Sequence, residues 1–453
     1  MGMKNPPLRG IRALELAEIW AGPFCGVMLG DMGAEIIKVE ALQRIARGPL
    51  RPEPNTPGYP DYDPGERPWN RQGNFNATNR NKLGLTLDLT SEQGVDAFKE
   101  LVAISDVVFT NYAFGVMDRL GIGQDVLRAI KPDLIVLFTP GYGNTGPYRG
   151  HRSMGMAIDA MTGHSALRGY PDLDLSHNSL VHHPDAVGAA TAAFAICTAL
   201  HYRARTGKGQ FIDLSQAEAF MPHMGETFLE NQMSGESRER RGNSHPRMSP
   251  HGCYRCLGDD AWVAIAVRND DEWRRFCDVI GQPNLAADAR FTSPDGRVAN
   301  RAALDDIVSE WTAQSTRQDI ATQLQEQSIP AAPVLDCGPD TYDDPHLQAR
   351  QYFQLVTHAD AGTFPMSGPV WSTLSHTSPD LAPEDAPRLP DRHRPAPGLG
   401  EHNEYLLRDM LGYSVDMLHD LERAKVIGTV PLEGADMGGV RRFARERRNT
   451  AAS

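Results

Sequence analysis

The strongest constraint on the fold of this chain is an uncharged, alanine-rich run at residues 186–200, AVGAATAAFAICTAL, placed directly after Asp185. Alanine is the best helix former. The run is apolar on nearly every face, which predicts a buried helix rather than an amphipathic surface one. Arg203, Arg205 and Gly207 follow, the chemistry of a helix C-terminus and its left-handed cap. The run is too short and too rich in small residues for a membrane span, which needs roughly 20 apolar residues. Asp185 therefore sits where a helix begins. One reading makes it the N-cap, accepting hydrogen bonds from free N–H groups. The other makes it a carboxylate held in a dry site and able to act as a nucleophile. The pattern alone leaves both open.

Upstream of this helix, short apolar strands alternate with helices. Strands are expected at 11–16, 35–39, 83–89, 106–110 and 133–139, and another at 211–214. Pro23 suits the start of a first helix and Gly33 its end. Ser91 suits the start of a helix running to about residue 104. Such alternation predicts an α/β fold with a doubly wound, mostly parallel, Rossmann-like sheet. Ligands bind at the carboxyl ends of strands in these sheets, so the loops after residues 16, 39, 110 and 139 are the candidates. The first βαβ unit lacks G-x-G-x-x-G, which weakens a dinucleotide site.

Charge narrows the ligands. The 453 residues carry a net charge of −13, which argues against general binding to nucleic acid or anionic membranes. An anionic ligand then needs a local basic cluster. Arg44, Arg47, Arg80, Lys82, Arg119 and Arg149 lie in or near the candidate loops. Singly, each reads as a solvated surface charge; together they form a possible polyphosphate site. Residues 49–79 are rich in Pro, Gly and Asn and show no period, which predicts a long loop, a candidate lid.

The chain then changes character. Residues 1–219 form the first part of a large domain and 220–250 a polar linker. Residues 251–330 form a small α+β domain opened by a hairpin at 251–267. The helices at 301–311 and 316–327 belong to it, and IPAAPVLD leaves it. Residues 331–436 return to the large domain with a strand and a helix, and 437–453 form a basic mobile tail. The N-terminus has no secretory h-region, so the expected compartment is the cytoplasm, where six irregularly spaced Cys stay reduced. Cys253 and Cys256 form a lone C-x-x-C in a strand. Their offset of three puts them on opposite faces, so no metal site is expected. His182 and His183 diverge and are not a ligand pair. Neither a G-x-S-x-G elbow nor a P-loop occurs.

Several segments together resemble the class III CoA-transferases. They are LRGIRALELAEIWAGPFCGVMLGDMGAEIIKVE, NRNKLGLTLDL, SDVVFTNYAFGVMDRLGIG, GYGNTGPYRG, PDAVGAATAAFAICTALHYRARTGKGQFIDLS and SIPAAPVLD. They occur in family order. The resemblance implies a large domain built from both chain ends with the small domain inserted, in a homodimer of interlocked rings. It implies that Asp185 is the nucleophile, that Arg119 helps bind CoA, and that Asn111 and the segment with Arg80 and Lys82 make further CoA contacts. Arg44 and Arg47 stand in for a basic residue that is Ala41 here. The substrate pocket is expected at Trp20, Gly22 and Tyr142, and Trp20 replaces a Gln found in some members. A Lys of formyl-CoA transferase is Pro140 here, and GNSHPRMSPHG replaces its Gly-rich flap, a second candidate lid. The implied activity moves CoA from an acyl-CoA donor to a carboxylic acid acceptor through an aspartyl-CoA thioester. No cofactor is permanently bound, and the CoA thioester is a substrate. Two alternatives stay open: an acyl-CoA racemase of this fold, whose His aligns with Met154, and a non-catalytic CoA-binding protein. A nicotinamide dehydrogenase is more distant.

Overall fold

The computed structural model describes residues 6–48, 52–370 and 394–435. In chain order the first elements are β1 (Arg12–Leu16), α1 (Ala21–Asp31), β2 (Glu35–Glu40), α2 (Pro68–Arg71), α3 (Gly73–Thr78), β3 (Lys82–Thr86) and α4 (Glu92–Ala103). β4 (Val107–Thr110), α5 (Val116–Arg119), α6 (Gln124–Ile130), β5 (Ile135–Phe138), α7 (Gly155–Met161) and α8 (His164–Leu167) follow. Next come α9 (His183–Thr206), β6 (Phe211–Asp213), α10 (Gln216–Phe220) and α11 (Gly225–Ser234).

The six strands form one parallel sheet in the order β3-β2-β1-β4-β5-β6. Side-chain parity builds the two layers around it. Ala13, Ile36, Val107, Phe109, Ile135 and Leu137 face the layer of α1 and α9. Leu14, Leu16, Ile37, Val108 and Val136 face the layer that holds α4 and α6. A strand buried on both sides needs apolar residues at every position, which is why these segments read as short continuous runs.

The α9 helix ends as expected, with Gly207 at φ +70°. Its burial is not as expected. Gly188, Ala189, Ala192, Ala193 and Ile196 are buried, but Phe194 is 73% exposed. The helix covers the sheet with a small-residue face and leaves an apolar back open in the single chain. Residues 52–79 also differ from the expected loop. They contain α2 and α3 and are pinned by Arg67 and Asn70 on Asp360, 2.6 and 2.7 Å away. A strap held this way is a fixed part of its unit.

The described residues fall into two compact units. The first holds residues 6–48, 52–162, 180–225, 349–370 and 394–435, and the second holds 163–179 and 226–348. The second therefore takes in 163–179 and most of the expected linker, and it runs beyond 330. It contains the hairpin β7 (His251–Arg255) and β8 (Trp262–Ala266), then α12 (Asp270–Val279), α13 (Pro294–Ala299), α14 (Arg301–Thr312) and α15 (Arg317–Glu326). β9 (Ala331–Pro333) adds to β8, so IPAAPVLD stays within this sheet instead of leaving it. Its core gathers Trp273, Phe276, Phe291, Leu304 and Leu324.

α16 (Pro339–Tyr342) and α17 (Pro345–Ala349) lead to an antiparallel hairpin, β10 (Phe353–His358) and β11 (Gly362–Ser367), where one strand and one helix were expected. Much of the Pro-rich segment before residue 394, and the basic tail, lie outside the described residues. Residues 394–435 dock on the outer strand of the first unit. Gly84 accepts from His402 N at 2.9 Å, and Thr86 N donates to Asn403 Oδ1 at 2.9 Å, which covers an otherwise open edge. A π-helical turn, Tyr405–Met410, and α18 (Val415–Arg423) complete that layer with Leu406, Leu407, Leu418 and Leu421.

Candidate active site

Asp185 lies in the first turn of α9, with His182 as the cap and Pro184 beside it. Proline is tolerated there because its missing N–H would have no helical partner. The N-cap reading of Asp185 is therefore wrong by three residues. No donor among the described residues hydrogen-bonds its carboxylate; His182 Nδ1 lies 3.9 Å from Oδ2. The side chain is 13% exposed. Oδ2 rests against Gly155, the first residue of α7: a Cβ there would lie 1.9 Å from it. Burial raises the pKa of Asp185, and His182 opposes the shift. A carboxylate stripped of water and of donors is more basic and more nucleophilic than one in solution. The helix N-terminus still favours its ionised form.

The loop after β5 is fixed from both ends. Gln216 Nε2 donates to Thr139 O at 2.8 Å, and its stem packs against Gly188 of α9. Asn144 N donates to Asp213 Oδ1 at 2.9 Å. Gly141 meets Ser153 so closely that a Cβ would lie 1.9 Å from its hydroxyl. Tyr142 sits edge-on to Tyr148 and His151, each 6.3 Å away, while Tyr148 and His151 stack at 4.8 Å. Burial raises the Tyr142 pKa, so the phenol stays a neutral donor.

The strand order reverses between β1 and β4, which opens a crevice at their carboxyl ends. Asn111 closes its floor. Its Nδ2 donates to Glu18 O at 2.7 Å, and Glu18 N donates to its Oδ1 at 2.9 Å. Gly22 is required beside it, since a Cβ would lie 2.4 Å from Ala17 and 3.0 Å from Asn111. Between them Ile19 is held at φ +67°, a strained conformation for a β-branched residue. Trp20 stacks on Phe24 with ring centroids 5.4 Å apart. Arg44 pairs with Glu18 at 2.7 Å and lies 6.0 Å from the Tyr112 ring. Burial raises the Glu18 pKa, while Arg44 and Lys38 pull it back. Arg119 is exposed and has no ion-pair partner among the described residues. Arg149 covers Phe114 at 4.8 Å.

Four of the expected CoA contacts are committed elsewhere. Arg47 is buried, pairs with Glu40 at 2.5 Å and donates to Pro397 O at 2.9 Å. Arg80 is buried against Asp31 at 2.6 Å. Lys82 is buried 2.7 Å from Glu15, and donates to Pro23 O, Thr78 O and Asn79 Oδ1. Burial pulls its pKa down to about 7, with Glu15 opposing. Gly26 makes room for this pair, since a Cβ would lie 2.0 Å from Glu15 Oε2. Asn111 is the fourth, spent on the Glu18 backbone. The structure thus gathers Trp20, Gly22, Asn111 and Arg44 at the crevice, and keeps Arg47, Arg80 and Lys82 inside as struts. Glu18, Gly155 and His182 were missed. The spacing of three between His182 and Asp185 was the available signal, because it places both on one helix face.

Cys253 is exposed and Cys256 buried. Among the described residues no group of three or more His, Cys, Asp or Glu side chains is arranged to hold a metal. None of the described helices is long and apolar enough to cross a membrane.

Known proteins resemble the chain along most of its length. The family described as CoA-transferase family III matches residues 8–403. Succinyl-CoA–D-citramalate CoA-transferase of Chloroflexus aurantiacus is 33% identical, over 94% of this chain and 100% of that one. Succinate–glutarate CoA-transferase of Agrobacterium fabrum is 30% identical, over 90% and 97%. A solved CAIB/BAIF family protein from Brucella suis superposes with a TM-score of 0.74 at 32% identity, covering 90% of this chain and 100% of that one.

Proposed function

The chain belongs to CoA-transferase family III, and we propose that it moves CoA between dicarboxylic acids with Asp185 as the covalent carrier. The observation that carries this reading is the Asp185 carboxylate itself, largely buried and without a hydrogen-bond donor. A cap or a structural ion pair would be saturated with donors. The choice of dicarboxylic acids rests on the relatives' names, which pair succinyl-CoA with citramalate and succinate with glutarate.

In the proposed sequence an Asp185 oxygen attacks the thioester carbonyl of the donor. The C–S bond breaks, CoA leaves as thiolate, and a mixed anhydride remains. The thiolate then attacks Cγ of Asp185, releasing the donor acid and leaving an aspartyl-CoA thioester. The acceptor carboxylate attacks the same carbon, expels the thiolate and forms a second anhydride. Attack of the thiolate on the acceptor carbonyl gives the new acyl-CoA and restores Asp185. No net proton is exchanged. Each hard transfer is split into two easier ones. The N-terminal N–H groups of α9 are suited to stabilise the oxyanions, and the low exposure of Asp185 limits hydrolysis.

We assign Arg119 and Arg44 to the CoA phosphates, with Arg149 beside them, and Trp20, Gly22 and Tyr142 to the acyl pocket. Asn111 keeps the crevice in shape. We also read the protein as a cytoplasmic homodimer with the second unit as an inserted domain. The exposed Phe194, Met154 and Leu180 support a further surface covering the first unit. The test is incubation with succinyl-CoA and a panel of mono- and dicarboxylic acids, followed by mass analysis of the acyl-CoA pool. New dicarboxyl-CoA species are expected; hydrolysis alone, or no exchange, refutes the reading.

One observation favours a second reading. His182 Nδ1 lies 3.9 Å from Asp185 Oδ2, an acid–base pair able to exchange an α-proton. Against it, Met154, at the position of the racemase His, carries no exchangeable proton. Solvent deuterium entering the α-carbon of a 2-methylacyl-CoA, without any acceptor acid, would select racemisation.

A further inference from the structure

The second unit holds a cluster of basic side chains that lies outside the residues assigned above to the transfer. They lie on the segment entering β7 and on the first residue of α14. Arg241 and Arg247 have no ion-pair partner among the described residues. Between them, the His245 ring lies 5.2 Å from the His251 ring. Arg301 Nη2 donates to the His245 carbonyl, while its Nε is buried with no partner.

The hydrogen bonds fix the two imidazoles. His245 Nδ1 accepts from Arg247 N at 3.1 Å, so its Nε2 carries the remaining proton. His251 Nδ1 faces Asn243 O at 2.7 Å and is the donor there. The nearby acids make their direct contacts with other groups. Glu226 and Glu230 pair with Arg238 at 2.6 and 2.7 Å. Asp305 accepts from Tyr254 Oη at 2.7 Å. The His245 pKa is lowered by burial and then by His251, Arg247, Arg241 and Arg301. In a chain of net charge −13, guanidiniums that make no direct ion pair, with Glu226 and Asp305 acting on the cluster only through space, mark a place suited to receive an anion.

We propose that Arg241, His245, Arg247, His251 and Arg301 form a binding site for a small dicarboxylate. Two guanidinium forks without partners match two carboxylates, each able to take a bidentate pair. The Nε2–H of His245 supplies a single donor. A monocarboxylate satisfies one fork and leaves the other unpaired. The choice of dicarboxylate over another dianion rests on the transferase reading above; the presence of an anion site does not.

The test is calorimetric titration of the full-length protein, without any CoA thioester, with succinate, acetate and inorganic phosphate at low salt. Succinate is expected to bind saturably, at least about tenfold tighter than acetate or phosphate. The double variant Arg241→Ala/Arg247→Ala should lose about tenfold or more in succinate affinity, with unchanged circular dichroism. Arg247→Lys should keep part of it, since charge remains while the fork is lost. Equal succinate binding by the double variant overturns the proposal. So does phosphate or acetate binding as tightly as succinate, or the lack of saturable succinate binding. The titration needs no turnover, so its failure leaves the assignment of Asp185 standing. Loss of turnover with intact succinate binding strikes that assignment alone.

Discussion

Removing the charge at Asp185 separates its chemistry from its effect on stability. Burial raises its pKa, so the folded chain holds that proton more tightly than the unfolded chain does. The ionised form therefore costs stability, a cost absent below the ordinary aspartate range and complete above the raised value. Asp185→Asn is expected to melt higher than the parent at neutral pH, with the gain vanishing as pH falls through the ordinary aspartate range. The same variant should lose about 1000-fold or more in kcat, since no carboxylate remains to carry the acyl group. In the parent, the acid limb of kcat/KM should lie above the ordinary aspartate pKa. Thermal scans at several pH values and steady-state rates check both. Lys82 makes the opposite case. Lys82→Met leaves Glu15 buried with Lys38 as its remaining cation, and should destabilise by about 3–5 kcal/mol in urea titration. In sequence, Lys82, Arg47 and Arg80 look like Arg119. What separates them is Glu15, Glu40 and Asp31, partners that only the folded chain brings near.

Among elements, the meeting of α7 with the start of α9 decides how the carboxylate sits. Gly155→Ala would drive a methyl against Asp185 Oδ2. A displacement of about 1 Å at the reacting atom costs on the order of 100-fold in kcat. Gly155 is only half-buried and begins a short helix, so the melting temperature should change little. Most strands of the sheet were legible because burial on both faces demands continuous apolar runs. β9 was not, because its sequence carries Pro333 and reads as an exit. It is tolerated because β9 pairs with β8 alone and lies at a sheet edge. α2 and α3 were hidden among Pro, Gly and Asn, and α2 is held by Asp360 from far along the chain. Periodicity carries no trace of such a partner.

For the molecule as a whole, the exposed back of α9 is the feature the single chain leaves unexplained. The alanine run predicted burial on every side, yet Phe194 stands 73% exposed. In the proposed homodimer that face is covered, and Phe194→Asp should shift the sedimentation coefficient toward the monomer and lower activity with it. A monomeric parent chain, fully active, would contradict the assembly. The doubly wound, mostly parallel sheet was readable from the alternation of strands and helices, but the strand order was not; the split into two units was only partly readable, because residues 163–179 join the second unit through contacts distant in sequence.

The most direct measurement is peptide mass analysis of the protein after brief exposure to succinyl-CoA without an acceptor acid. Covalently attached CoA should appear on the peptide bearing Asp185, and adding an acceptor acid should discharge it as a new acyl-CoA. Full turnover with no adduct, or an adduct on another residue, would contradict the account.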